Sequence, residues 1–451
     1  MPAEPGTQFA ISHFPAWVSF FRSSTSMAPS LSLRQRALEQ SLQIETKDTH
    51  HLTGPFRPQT PLDAQFPESP TMAQKGANGH IPAAFDRWST ASQGFGADIM
   101  SMRWIVVPSS SLKIIIASIV LWANWEILAP YVGDLPNPFA PLLFISYRIP
   151  DSSPDDPRYS KGILDFVFVS YYIVVFSFVR QFITLQVSRP VAQWFGIKRE
   201  SKLARFGEQG YALVYFAVMG AWGARIMSQS PIWWYDTKNF WLGYPHWDMK
   251  PELKRYYLMQ AAYWCQQLIV LLLNLEKPRK DYTELVAHHL VTLWLVGWSY
   301  VCNMTQIGNA VYLSMDVPDT FLAFSKLLNY IQWEYTKVVT FVVFVGVWSY
   351  FRIFLNMVML WSVWTEYDLI PLASQRFWPP DGVWMVWWMK YQVFIPIFLL
   401  LCLNLFWYFL ILRIAYRVAG PTQGITDVRS DDEDDGGDDG KDDGEDDDKD
   451  E

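Results

Sequence analysis

His288 and His289 stand side by side at the head of a run that continues from Leu290 to Cys302 without a charge. Asp316 and Asp319 lie in Ser-Met-Asp-Val-Pro-Asp-Thr, inside a second apolar stretch. Ionisable groups cost free energy in such places and normally face a cavity and one another. If the chain reverses near residue 303, the histidines lie fifteen and fourteen residues before the turn, and the aspartates thirteen and sixteen after it. Helical arms of ~20 Å, at about 1.5 Å per residue, then return all four side chains to one depth. Asp316 and Asp319 share a helix face. His288 and His289 point about 100° apart, so one of them is expected to face the site directly. Two carboxylates and two imidazoles at one depth form an acid–base site, in which imidazole can serve as a base near neutral pH or as a nucleophile. The carboxylates would fix the imidazole tautomer or stabilise the imidazolium. The bland alternative is a His–Asp pair that merely joins two helices. Pro318 speaks against it, because it frees a backbone carbonyl between the acids and distorts the helix there. No metal site is expected. Adjacent histidines on a helix cannot both point at one ion, and His246 is the only other histidine nearby.

The elements that must position these groups read as membrane helices. Half the chain is apolar, with 23 Trp, 30 Phe and 22 Tyr, far more aromatic surface than a soluble protein needs. A span needs roughly 20 mainly apolar residues. Stretches 112–131, 162–184, 209–228, 256–275, 284–302, 304–324, 337–363 and 391–415 qualify, giving an all-α polytopic protein of seven or eight transmembrane helices. The first is the least secure, because it contains Lys113 and ends at Pro130. The fifth and sixth are separated only around Asn303 and make a tight hairpin. Cys265, Cys302 and Cys402 lie in apolar segments without a disulfide or metal pattern.

The ends are of a different kind. Residues 1–103 are rich in Pro, Ser, Thr, Gln and Gly and read as a disordered cytosolic arm without a signal peptide. A first span and loop occupy 104–160, the main helical domain 161–418, and an acidic disordered tail 419–451. From Ser430 onward there are 15 acidic and two basic residues, so everything before it is mildly basic although the whole chain carries −8. Arg189, Lys198, Arg199, Lys202, Arg205, Lys277, Arg279, Lys280 and Lys326 fall in the loops of one side, which places that side and both termini in the cytosol. Asn303-Met304-Thr305 matches a glycosylation sequon on the other side, too near the bilayer to be modified. Lys277, Arg279 and Lys280 stand at the cytosolic mouth beside the histidine helix. They either meet an anionic ligand or only set topology. Arg352 lies deep in the seventh span, where it needs an acidic partner or contacts substrate. Ser430, followed by Asp-Asp-Glu, has the setting of an acidophilic phosphorylation site.

From Asn239 to Tyr330 the sequence resembles the ceramide synthases, the longevity-assurance family of TLC-domain proteins. The likeness is carried by Asn-Phe-Trp-Leu-Gly-Tyr-Pro-His, Gln-Ala-Ala-Tyr-Trp-Cys-Gln-Gln, Leu-Glu-Lys-Pro-Arg-Lys-Asp, His-His-Leu-Val-Thr, Met-Asp-Val-Pro-Asp and Ser-Lys-Leu-Leu-Asn-Tyr, in that order. A weaker, domain-level likeness covers roughly 160–420, and the acidic tail and extra first span look like the fungal branch. Departures are minor, with Pro318 and loop 364–390 the places where lineage differences are expected. The resemblance implies a TLC-domain bundle in the endoplasmic reticulum membrane. It implies transfer of an acyl group from fatty acyl-CoA to the amine of a sphingoid base, sphinganine or phytosphingosine, with no cofactor. The family's paired histidines map onto His288 and His289 and its aspartates onto Asp316 and Asp319. Loop 364–390 would influence which acyl chain is preferred. The expected partners are the two substrates, the bilayer and a second subunit (a homo- or heterodimer, or a small single-span regulatory subunit), with no nucleic acid. The alternative is a non-catalytic TLC-domain protein of lipid handling or translocation, which has no need of the complete His-His and Asp-x-x-Asp set. A di-iron hydroxylase would need more than the seven histidines present.

Overall fold

The computed structural model describes residues 92, 94–133, 135–275 and 281–419. Most of the proposed N-terminal arm, the basic trio Lys277, Arg279 and Lys280, and the acidic tail with Ser430 lie outside the described residues. Among the described residues the architecture is all-helical, with only isolated β-bridges in the loops. Eight long helices carry it: α1 Pro108–Val132, α2 Leu164–Phe182, α3 Glu200–Ser228, α4 Pro251–Leu272, α5 Tyr282–Val301, α6 Thr305–Ile331, α7 Glu334–Trp348 and α8 Met389–Ala419. Two of them run on through a π-helical turn. α2 continues through Ile183–Ser188 into Arg189–Trp194, and α7 continues through Ser349–Leu355 into Asn356–Thr365.

Each stretch read as a span falls on one of these helices. Four are both long and apolar enough to cross a bilayer: Pro108–Tyr131, Leu164–Trp194, Tyr335–Thr365 and Met389–Arg417. The other four, α3 to α6, have 29, 22, 20 and 27 residues and are long enough but more polar. Their polarity is largely inward. Gln209, Gln260, Gln266, His288, His289, Asn309 and Asp316 are all buried. The outer surface stays apolar, as Ile119, Leu121, Ile127 and Leu128 of α1 show by their exposure.

α6 is the central helix. It packs along α3 and also meets α5 and α7. Glycines on α3 permit close approach, as in membrane bundles, where small residues let backbones touch. A Cβ on Gly223 would come within 2.6 Å of the Tyr256 hydroxyl, so this glycine makes the notch in which that phenol sits.

The sequence reading places irregular chain as far as residue 103. The described part instead holds a short helix, Phe95–Met100, whose Asp98 is buried and accepts a hydrogen bond from Ser110 Oγ at 2.5 Å. The apolar residues that follow explain this: Ile105 and Val106 pack against Val270 and Leu275 of the α4 end.

The turn between α5 and α6 falls at Asn303, which has φ 62°. Asn303 is buried; its Oδ1 accepts from Lys161 and its Nδ2 donates to the Gly382 carbonyl at 2.7 Å. The sequon amide is therefore committed to the fold. The α7–α8 loop docks on the same turn. Tyr244 Oη donates to the Cys302 carbonyl at 2.9 Å and accepts from Trp384 N at 3.2 Å, while Val383, Met385 and Met389 enter the main core.

Candidate active site

α5 enters the bundle with Asp281 ahead of its first turn and carries both histidines into the buried region. Their rings lie 5.6 Å apart at 83°, and Trp264 of α4 meets both edge-on, at 5.5 and 5.6 Å. Trp407 of α8 also meets His288 edge-on at 5.4 Å, and its indole donates to Asp281 Oδ2 at 3.1 Å. Two tryptophans thus pack against His288.

A cavity of about 230 Å³ is lined by His288, His289, Asp319, Lys326 and Arg352, among others. It reaches the α4–α5 end of the bundle at Asn274, Asp281 and Tyr282. A second, narrower cavity of about 50 Å³ is lined by apolar side chains including Leu295, Met304, Ile307, Val393 and Leu400. His288 and Trp264 line both. One imidazole therefore stands where a polar chamber meets an apolar one.

Both histidines line the larger cavity, whereas the helical geometry led us to expect one. Residues 100° apart can share a cavity when α5 forms its wall obliquely and each ring extends several ångströms from the helix axis. The two rings are not equivalent. His289 Nδ1 lies 2.8 Å from the Leu285 carbonyl, which can only accept, so Nδ1 is the donor and Nε2 carries the lone pair of the neutral ring. His288 Nδ1 is buried with no hydrogen-bond partner in the protein, although the residue lines both cavities.

The aspartates diverge. Asp319 lines the cavity and pairs with Arg352 at 2.6 Å, whereas Asp316 is fully buried and lines neither cavity. Residues three apart on a helix are offset by about 60°. That offset suffices to turn one carboxylate toward α7 and the other toward α4. Arg352 lies in the π-helical turn, where the ring of hydrogen bonds is wider than in an α-helix. Its guanidinium also donates to Asn404 Oδ1 and to the Met315 carbonyl, each at 3.1 Å, and stacks 4.3 Å over Trp348. Arg352 thus has the acidic partner that its depth demanded, and it lines the chamber as well.

Asp316 Oδ2 accepts from Gln260 Nε2 at 2.6 Å. That amide also donates to Tyr256 Oη at 3.1 Å, and its Oε1 accepts from Tyr215 Oη at 2.9 Å. Sequence reasoning missed Gln260 as a site residue. Its signal was an uncharged polar group inside an apolar helical run, within a motif already singled out. Tyr215, Trp264, Trp348 and Trp407 gave no such signal, because an aromatic residue in a membrane helix is ordinary.

The TLC-domain family model matches residues 205–413, which contain both histidines, both aspartates, Gln260 and Arg352. Sphingosine N-acyltransferase lac1 of Schizosaccharomyces pombe is 42% identical over 283 residues, covering 61% of this chain and 70% of lac1. The chain belongs to the ceramide synthase family of TLC-domain proteins. Ceramide synthase LAG1 of Saccharomyces cerevisiae is 41% identical over 286 residues, covering 62% of this chain and 67% of LAG1. Human ceramide synthase 5 is 26% identical over 231 residues, half of this chain and 55% of that protein. A ceramide synthase must bring an acyl thioester and a long-chain amine together away from water, and this site has a polar and an apolar chamber.

Proposed function

We propose that the chain is a sphingosine N-acyltransferase that moves a fatty acyl group from acyl-CoA to the amine of a sphingoid base, giving ceramide and CoA. The observation that carries this reading is the position of His288, shared by a chamber holding charged groups and one holding only apolar or uncharged ones. The thioester end and the amine meet at the imidazole, and an alkyl chain occupies the apolar side. The sphingoid ammonium first loses one proton through His288 to the solvated chamber, and the free amine attacks the thioester carbonyl. His288 then takes the second proton from the nitrogen of the tetrahedral adduct, and as the C–S bond breaks the departing CoA sulfur takes that proton from the imidazolium. Alternatively His288 attacks first, releases CoA and holds the acyl group as an acyl-imidazole until the amine takes it. A burst of CoA release in the absence of sphingoid base separates the two routes. Asp319, held by Arg352, offers negative charge to the ammonium. The thioester is already activated, so the reaction requires no metal or redox cofactor. Exclusion of water by the bundle protects the acyl group from hydrolysis.

The same reading assigns eight spans, α1 to α8, to the endoplasmic reticulum membrane, with both termini cytosolic. The larger cavity then opens toward the cytosol, where acyl-CoA is found. Lys277, Arg279 and Lys280 stand beside that opening in sequence and would meet CoA phosphates. The exposed apolar surface of α1 faces lipid, a second copy of the chain or a single-span subunit.

Purified protein in detergent, given sphinganine and acyl-CoA, should form the amide, detected by mass spectrometry. His288→Ala should lose at least about 100-fold in rate, the low end of acid–base contributions. Wild-type turnover in His288→Ala would refute the site.

A further inference from the structure

Asp316 and Gln260 are both fully buried, and neither lines a cavity, yet they touch through a short hydrogen bond at the level of the site. We propose that Gln260 is a positioning residue for the acyl transfer: its amide, locked by the Tyr215 hydroxyl, fixes Asp316 and with it the helical turn that presents Asp319 to the chamber. The inference rests on the acyl-transfer reading above and deepens it.

The amide of Gln260 has one acceptor and two donor hydrogens, and all three are used. Oε1 takes the Tyr215 hydroxyl at 2.9 Å, and Nε2 serves Tyr256 at 3.1 Å and Asp316 at 2.6 Å. The reversed amide would set two acceptor oxygens 2.6 Å apart, tolerable only with a proton on the carboxyl. Tyr215 is held in turn, because its ring stacks on Tyr263 at 3.3 Å and 9°. Tyr256 sits in the notch left by Gly223. The lock therefore joins α3, α4 and α6.

The turn it grips is weak by itself. Pro318 has no N–H to give to the Ser314 carbonyl, so α6 lacks one rung of its ladder between the two acids. The turn is pinned from outside instead. Arg352 holds Met315 O and Asp319 from the α7 side, and Gln260 holds Asp316 from the α4 side. Release of either pin lets the turn relax and moves the Asp319 carboxylate relative to His288. A short hydrogen bond between buried groups is strong enough for such a part, and its loss takes a donor from a fully buried carboxyl group.

The test is a set of variants assayed for kcat, for KM toward acyl-CoA and for the pH–rate profile. Gln260→Leu should lower kcat roughly 10- to 100-fold, with KM little changed. In an Asp316→Asn background it should add less than about twofold, since Gln260 acts through Asp316. Gln260→Glu should be impaired at neutral pH and regain activity as pH falls, because the protonated acid can again donate to Asp316. The groups around it are Tyr215 and Tyr263 stacked on α3 and α4, Tyr256 on α4, and Asp316 on α6. Tyr215→Phe should lose severalfold in kcat and guards against misfolding of the other variants. Additive losses in the double variant would overturn the proposal. So would wild-type kcat in Tyr215→Phe together with an unshifted profile in Gln260→Glu. Full activity of Asp316→Asn alone would overturn it too, since Gln260 is held to act through that side chain, whereas failure of the wild-type protein to form the amide would sink the acyl-transfer reading itself.

Discussion

Replacing Arg352 by Met should damage stability and activity together, and a second substitution should separate the two. The Arg352 guanidinium is 4% exposed and the Asp319 carboxylate 16%, with 2.6 Å between them. Removing one partner of a buried ion pair costs about 3–5 kcal/mol, because the other charge is left without compensation. Loss of the Trp348 stack adds about 1–2 kcal/mol. The Asn404 amide and the Met315 carbonyl lose their donor as well. Part of this returns, since Asp319 lines the cavity and can be hydrated or protonated there. The lower end, about 3 kcal/mol, is therefore the expected loss, a factor of roughly 10² in the unfolding equilibrium. Arg352→Met with Asp319→Leu removes both charges, and such replacements of a buried pair are often neutral or stabilising. The double variant should regain most of the lost thermal stability in detergent while amide formation stays abolished. Arg352→Lys should fall between, because an ammonium cannot bond Asp319, Asn404 and Met315 in one plane. Wild-type stability and turnover in Arg352→Met would refute the reasoning. A double variant as unstable as the single would show that packing, and not the pair, sets the cost.

Other outcomes follow from the same contacts. Gly308→Ala should destabilise by about 1–3 kcal/mol, the usual cost of overpacking, because the added methyl would overlap the Tyr257 hydroxyl; thermal denaturation measures it, and an unchanged midpoint contradicts it. Exchanging loop 364–390 for that of a relative with a different acyl preference should shift product chain length, since Val383, Met385 and Met389 pack in the core beside the apolar cavity. An active chimera with an unchanged product profile counts against this. A phosphate on Ser430 adds roughly −1.5 to −2 charge beyond the end of α8, which carries Arg413 and Arg417. Ser430→Ala, Ser430→Glu and a truncation after Gly424 should differ from wild type in microsomal activity or abundance, and three matching values would make the tail inert.

Much of the helical framework was legible in the chain because a span must be long, apolar and satisfied by its own backbone bonds. The eight stretches fall on eight helices, four of them long and apolar enough to cross a bilayer, and the reversal falls at Asn303. The expectation that His288, His289, Asp316 and Asp319 return to one depth rests on rise per residue, a local property of a helix. Direction around each helix is a different matter. Whether Asp316 looks toward α4 and Asp319 toward α7 depends on how α6 is rotated against its neighbours, which is set by packing contacts far apart in sequence. The same holds for the tryptophans packed against His288, which come from α4 and α8, and for Gln260, whose significance lies in Tyr215 and Asp316. Arg352 announced by its depth that it needed a partner, but only the π-helical turn and the bundle's packing chose Asp319. Depth is written in one dimension along the chain; the facing of side chains across a cavity is decided by the other two.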